Sequence, residues 1–287
     1  MLSPLTGNSA SIRLETDCDE PRRIRSALTA PMRSTDRPPI QRALVIVPTY
    51  NESENLPQLI PAILKQGDQF DVLVVDDNSP DGTGGLADRL AAENQRVHVI
   101  HRAGKLGLGT AYVAGFKVAL ERGYDAVFEM DADFSHSPDD LPRLLAAIGD
   151  CDVAIGARWV KGGGTQNWSL LRTLISRGGS LYAKLVLGVP MNDLTSGFKC
   201  FRSHVLTSFD LDAIHSNGYA FQVELNYLCH RLGYCVTEVP ILFVDRRVGQ
   251  SKMSSGIVAE AMGVCWKLRF SGSVAALNPK NSRIPPT

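Results

Sequence analysis

The stretch Glu129-Met130-Asp131-Ala132-Asp133 decides how this chain is read. It continues the run Asp125-Ala126-Val127-Phe128, and a helical pattern resumes at Pro138. A short run of apolar, β-branched and aromatic residues that closes on two carboxylates predicts a buried parallel strand carrying both acids to its carboxyl end. Open α/β sheets bind ligands at that end. Two acids one residue apart can share a hard divalent cation, whose remaining positions go to phosphate oxygens and water. An isolated Asp-x-Asp is also an ordinary solvated loop, so its surroundings carry the reading.

Upstream, Ala43-Leu44-Val45-Ile46-Val47 predicts a buried strand stopped by Pro48. A turn through Glu52 and a helix from Ser53 to Gln66 follow, with Ser53 or Asn51 as N-cap. Val72-Leu73-Val74-Val75 predicts a second strand ending in Asp76-Asp77, Thr83 opens the next helix, and Val97 to His101 is a third strand. The glycine-rich loop from Gly104 to Gly109 precedes a helix from Thr110 to Arg122. A dinucleotide fingerprint does not fit there: Tyr112 stands where a third glycine is required, and no glycine loop follows the first strand. Downstream come a helix from Pro138 to Ile148 and a strand from Val153 to Gly156. This strict alternation predicts an α/β domain, a Rossmann-like, mainly parallel twisted sheet flanked by helices.

Beyond Arg158 the pattern changes to a loop at Lys161-Gly162-Gly163-Gly164 and a long amphipathic helix from Ser169 to Leu187. A turn and short strand lie over Thr195 to Phe201, a helix over Tyr219 to Leu232, a strand over Val236 to Val244, a basic loop over Asp245 to Lys252 and a last helix over Gly256 to Phe270. The expected domain spans residues 43–270, divided into a nucleotide and metal half (43–157) and an acceptor half (158–270). Residues 1–42 read as a disordered extension and 271–287 as a loose tail.

The formal charge is zero, yet residues 43–150 carry 8 basic and 17 acidic side chains and residues 151–270 carry 13 basic and 8 acidic. An acidic half suited to a metal and a basic half suited to anions is the pattern of an enzyme that handles phosphates; no lysine-rich run points to nucleic acid. The six cysteines (Cys18, Cys151, Cys200, Cys229, Cys235, Cys265) form no Cys-x-x-Cys pair and read as reduced thiols. No apolar run reaches the ~18 residues of a membrane span and no signal peptide is evident, so a soluble or peripheral cytoplasmic protein is expected.

Taken in order, Pro48-x-Tyr50-Asn51-Glu52, Val75-Asp76-Asp77-x-Ser79-x-Asp81-Gly82, Gly107-Leu108-Gly109-Thr110-Ala111, Asp131-Ala132-Asp133 and Gly156-x-Arg158 resemble the family-2 inverting glycosyltransferases of GT-A fold. The match is best with the dolichol-phosphate (polyprenol-phosphate) mannosyltransferases among them. The resemblance implies a nucleoside pocket for GDP-mannose lined by Pro48, Tyr50, Glu52, Val75 and Asp77. It places the diphosphate on Asp131, Ala132 and Asp133, with Mg²⁺ or Mn²⁺ held by Asp131, Asp133 and Ser135. Ser135 stands where many relatives have glutamine. Arg158, Lys199, Arg246 and Lys252 match basic positions around the phosphates, and Asp131, Asp133 and Arg158 would carry the catalysis. The absent Gln-x-x-Arg-Trp signature favours single transfer over polymerisation. Expected partners are GDP-mannose, a polyprenyl (dolichyl) phosphate, and the cytoplasmic membrane surface or a separate membrane subunit.

Breaking a sugar–diphosphate bond builds negative charge on the leaving phosphates, so a cation and fixed positive groups are needed there. A lipid phosphate acceptor is already anionic and needs no general base, which leaves Glu224 an orienting or structural role. Arg172 and Arg177, on the helix after the glycine loop, are candidates for the acceptor phosphate because guanidinium grips phosphate bidentately. The helices over 169–187 and 256–270 are expected to dock on the cytoplasmic leaflet or on a membrane partner. A sibling enzyme using another nucleotide sugar, such as UDP-glucose, on the same polyprenyl phosphate is the alternative. A receiver-type signalling domain fits less well, since its acids should follow the first strand.

Overall fold

The computed structural model describes residues 22–24, 37–214, 216, 218–245 and 255–271. In chain order its elements are β1 (Arg22–Ile24), β2 (Ala43–Thr49), α1 (Leu56–Leu64), β3 (Phe70–Asp76), α2 (Thr83–Glu93), β4 (Val97–His101), α3 (Leu108–Glu121) and β5 (Ala126–Glu129). A 3₁₀ turn at Pro138–Asp140 leads into α4 (Leu141–Ala147), β6 (Val153–Ala157), β7 (Gly164–Gln166), α5 (Leu170–Leu187), β8 (Lys199–Arg202) and α6 (Ser203–Thr207). The chain continues through α7 (Gly218–Arg231), β9 (Val236–Pro240), β10 (Leu242–Val244) and α8 (Ser255–Ser271).

Eight strands form one sheet in the order β1-β9-β6-β8-β5-β2-β3-β4. The chain runs outward from β2 through β3 to β4, then returns to β5 on the other side of β2, all in parallel register. That reversal makes the carboxyl ends of β2 and β5 a topological switch point, where the crevice for a ligand opens. β8 is antiparallel to both of its neighbours, with Lys199 opposite Glu129 of β5 and Ile155 of β6. Its amino end therefore lies at the same sheet edge as the carboxyl ends of β5 and β6.

Alternation along the strands divides the core. Leu44, Ile46, Leu73 and Val75 pack with Phe116 of α3, Ala183 of α5, Phe221 of α7 and Leu268 of α8. Val45, Val47, Val72 and Val74 pack with Ile60 of α1, Ala87 of α2 and Leu144 of α4. Both faces of the sheet are thus covered, as a largely parallel sheet requires.

Several expectations need correction. Pro48 does not stop β2, because its partner in the ladder is Val75 and the pairing continues to Thr49. α1 begins at Leu56 with Asn55 at its cap; Asn51 is held instead in a left-handed turn (φ 62°), and the Ser53 amide donates to Asp81. The strand expected over 236–244 breaks at Ile241, and β10 leaves the main sheet to pair with β7. The region expected to be a disordered extension supplies β1, antiparallel to β9, and Arg37, which ion-pairs with Asp152 at 2.7 Å. Cys151 and Cys235 are joined as a disulfide, contrary to the expectation of six thiols, while Cys200, Cys229 and Cys265 are free and buried. Strands β8 and β9, from residues 158–270, pair with β5 and β6, from residues 43–157, in one sheet, which accords with a single domain and is no correction. Among the described residues no helix is long and apolar enough to cross a membrane.

Candidate active site

The chain turns sharply after β5. Phe134 adopts a left-handed conformation (φ 60°), which is costly for a bulky side chain. The turn lets the Ser135 amide donate to Asp133 Oδ1 at 3.0 Å and sets both acids at the sheet edge. There a cavity of about 290 Å³ is lined by Pro48 and Glu52 after β2, Leu108 of α3, and Asp131, Ala132, Asp133 and His136 after β5. Arg158, Trp168 and Arg172 close one side, Thr195 and Gly197 the approach to β8, and Gly218, Tyr219, Gln222 and Phe243 the remainder.

Of the residues expected at a site, Pro48, Glu52, Asp131, Ala132, Asp133, Arg158 and Arg172 therefore share one cavity. Tyr50 and Asp77 lie beside it. The Lys105 ammonium sits 3.9 Å over the Tyr50 ring, and Asp77 accepts from Arg102 at 2.6 and 3.1 Å and from the Leu106 amide. The turns after β2 and β3 are laced together, with the Asp77 amide on Thr49 O and the Glu52 amide on Thr83 Oγ1. Val75 does not line the cavity, because its side chain is fully buried in the core. Ser135, expected as a metal ligand, does not line it; its amide donates to Asp133, and its buried Oγ has no hydrogen-bond partner among the described residues. Arg177 is exposed on α5 and points elsewhere. Arg246 and Lys252 lie outside the described residues.

Lys199 is the plainest correction. It stands on β8 beneath the cavity, fully buried, with its ammonium 3.4 Å from Glu129 and bonded to Gln222 Oε1. Burial pushes the Lys199 pKa down and that of Glu129 up, and each charge opposes the shift of the other. The pair neutralises itself and offers no free cation to a substrate.

Arg158 is 4 % exposed and grips Asp193 through Nε at 2.8 Å and Nη2 at 2.7 Å, with Thr195 Oγ1 as a further acceptor. Burial would lower its pKa, but Asp193 outweighs this and raises it; the same pairing holds Asp193 down against its own burial. Glu238 in turn accepts the amides of Asn192 and Asp193, each at 2.8 Å. No motif in the sequence singles out Asp193, Thr195, Gly197 or Gln222, since only the antiparallel insertion of β8 and the packing of α7 bring them to the edge.

Arg172 is the more available guanidinium. It stacks 4.0 Å over Trp168 and pairs with the partly exposed Asp245 at 2.6 Å. Trp168 meets Phe243 at 5.2 Å and Trp159 at 6.5 Å, so an aromatic wall backs the cations. His136 lines the cavity with its ring stacked on Phe198, and burial holds its pKa down to about 3.

As a cation site, the cavity presents the neighbouring carboxylates of Asp131 and Asp133, whose oxygens are hard ligands. No cluster of three or more His, Cys, Asp or Glu able to hold a metal occurs among the described residues. That set suits a divalent cation completed by substrate phosphates, in the manner of Mg²⁺, and does not suit a closed structural site.

A switch-point cavity with paired acids, on a mixed sheet wrapped by helices, suits a glycosyltransferase of the GT-A type. The chain belongs to glycosyl transferase family 2, whose model matches residues 44–222. It is 53 % identical over 221 residues to the undecaprenyl-phosphate mannosyltransferase of Micrococcus luteus, covering 77 % of this chain and 91 % of that protein. It is 50 % identical over 226 residues to the polyprenol monophosphomannose synthase of Mycolicibacterium smegmatis, covering 78 % and 85 %. The mannosyltransferase PcManGT of Pyrobaculum calidifontis, solved with GDP-Man and Mn²⁺, shares the fold at a TM-score of 0.50 and 17 % identity, covering 88 % of this chain and 79 % of the other.

Proposed function

We propose that this chain transfers mannose from GDP-mannose to the phosphate of a polyprenyl monophosphate, with inversion. The observation that carries the reading is the meeting in one cavity of Asp131 and Asp133 with Arg172, on a chain half identical to two polyprenyl-phosphate mannosyltransferases. Asp131 and Asp133 would hold Mg²⁺ or Mn²⁺, which when bound neutralises charge on the leaving diphosphate. Tyr50, Asp77 and Lys105 mark the nucleoside end.

Arg172 receives the acceptor phosphate by exchanging its partner Asp245, a partly exposed ion pair of modest strength. An acceptor oxygen attacks the anomeric carbon, and the carbon–oxygen bond to the diphosphate breaks with its electron pair leaving on GDP. The attacking oxygen is already anionic, so Glu224, which lies outside the cavity lining, need not serve as a base. Arg158, held by Asp193 through Nε and Nη2, is fixed in the cavity wall.

The isoprenoid tail calls for a lipid surface. α5 exposes Leu170, Leu171, Leu174, Ile175, Leu181 and Leu185, and α8 exposes Met262, Trp266 and Phe270. The leucines of α5 share one helix face while Arg172 turns to the cavity. An exposed apolar face of this size suits the membrane interface, here the cytoplasmic leaflet, or a membrane subunit seated on it.

The test is transfer of labelled mannose from GDP-mannose to polyprenyl phosphate in detergent with Mn²⁺ or Mg²⁺, with UDP-glucose as comparator. Labelled lipid from GDP-mannose alone is expected. Labelled lipid from UDP-glucose, or none from either donor, overturns the reading.

A further inference from the structure

We propose that Gln222 is a sugar-specificity residue, whose side-chain amide donates to a hydroxyl of the transferred hexose; this rests on the glycosyl-transfer reading above. Gln222 lies in the second turn of α7, 2 % exposed, and lines the cavity. Its orientation is settled by what lies below. The Lys199 ammonium bonds to its side chain, and an ammonium can only donate, so Oε1 faces down and the buried Nε2 turns toward Gly197 of the cavity lining. Nε2 has no hydrogen-bond partner among the described residues.

Gly197, which has no side chain, faces that amide. A Cβ on Gly197 would stand 3.7 Å from Gln222 Nε2, 3.9 Å from Asp131 Oδ1 and 3.9 Å from the His136 ring. A donor and a carboxylate therefore face one niche at the cavity floor. A hydroxyl complements the two together, accepting from the amide and donating to the carboxylate. A diphosphate oxygen, which only accepts, complements the amide alone. Glu129 compensates the charge of Lys199 underneath, so the niche receives a neutral donor and not a cation.

Three variants separate the possibilities. Gln222→Glu keeps an acceptor for Lys199 but removes the donor, Gln222→Ala removes both, and Lys199→Met frees the amide to turn over. Affinity for GDP with Mn²⁺, measured by calorimetry, reports the nucleotide and phosphate contacts without the sugar. Each variant is expected to keep GDP affinity within about threefold and to lose roughly 10²-fold in kcat/KM for GDP-mannose, as when a site built around a hydroxyl loses its contact. One mono-deoxy-mannose donor should be discriminated against by the native chain and not by Gln222→Ala. Parallel loss of GDP affinity, unchanged kcat/KM, or identical discrimination among the deoxy donors would overturn the proposal. If the native chain turns over a different sugar nucleotide, the function reading fails by itself, and the same variants are measured with that donor and its diphosphate.

Discussion

Asp131 and Asp133 matter through what they neutralise. Removing one charge-stabilising group from such a site typically costs about 10²-fold or more in turnover. Asp131→Ala and Asp133→Ala are each expected to lose at least that factor in a single-turnover assay with labelled donor, while their thermal melts stay near native. A variant within tenfold of native turnover would remove that acid from the chemistry. Lys199 and Glu129 pose a different question, because both charges are buried and balance each other. Lys199→Met should destabilise by about 3–5 kcal/mol, since it leaves an uncompensated carboxylate in the interior. The double variant Lys199→Met/Glu129→Leu should recover much of that loss in urea unfolding. Strict additivity of the two single effects would show that the groups do not act as a pair.

At the scale of elements, α3 and α5 have opposite requirements. α3 lies so close to β2 that a Cβ on Gly115 would meet the Ile46 side chain at 2.6 Å. Gly115→Ala should therefore cost about 1–3 kcal/mol by overpacking, measured as a shift in the urea midpoint at constant slope. α5 is under no such packing pressure on its outer face. Leu181→Gln/Leu185→Gln should leave the fold intact and weaken partitioning to anionic vesicles by roughly tenfold or more, given the apolar area removed. The same variant should turn over a short water-soluble acceptor as the native chain does. Undiminished vesicle binding would assign the exposed leucines to something other than lipid.

Across the whole molecule, Asp152 is a junction of distant segments. It accepts from Arg37, from His204 of α6 and from the Cys235 amide before β9. Burial alone would raise its pKa, but the hydrogen bonds from His204 and Arg37 outweigh this and hold it down to about 2. An unfolded aspartate titrates near 3.9, so between about pH 4 and pH 2 the unfolded chain binds more protons and stability falls as pH drops. The contribution is fully present above that window. Asp152→Asn should be less stable at neutral pH and show a flatter melting temperature from pH 4 to pH 2. Parallel pH profiles for the two proteins would show that Asp152 does not carry this dependence.

The acids at 131 and 133, the strands before them and the alternation of strand and helix could be read from sequence because each depends on local chemistry. Apolar runs of strand length, a helical period and carboxylates at a strand end are properties of neighbouring residues. Only the tertiary structure decided which cations are available. β8 enters antiparallel and carries Lys199 down onto Glu129, 70 positions away, while the loop before it brings Asp193 onto Arg158, 35 positions away. A charge's partner is set by the three-dimensional path of the chain, so arginine and lysine positions alone could not tell a buried, satisfied cation from one that can meet a phosphate. The same holds for Gln222 and Gly197, ordinary residues in sequence that face one niche only because α7 and the loop before β8 converge there.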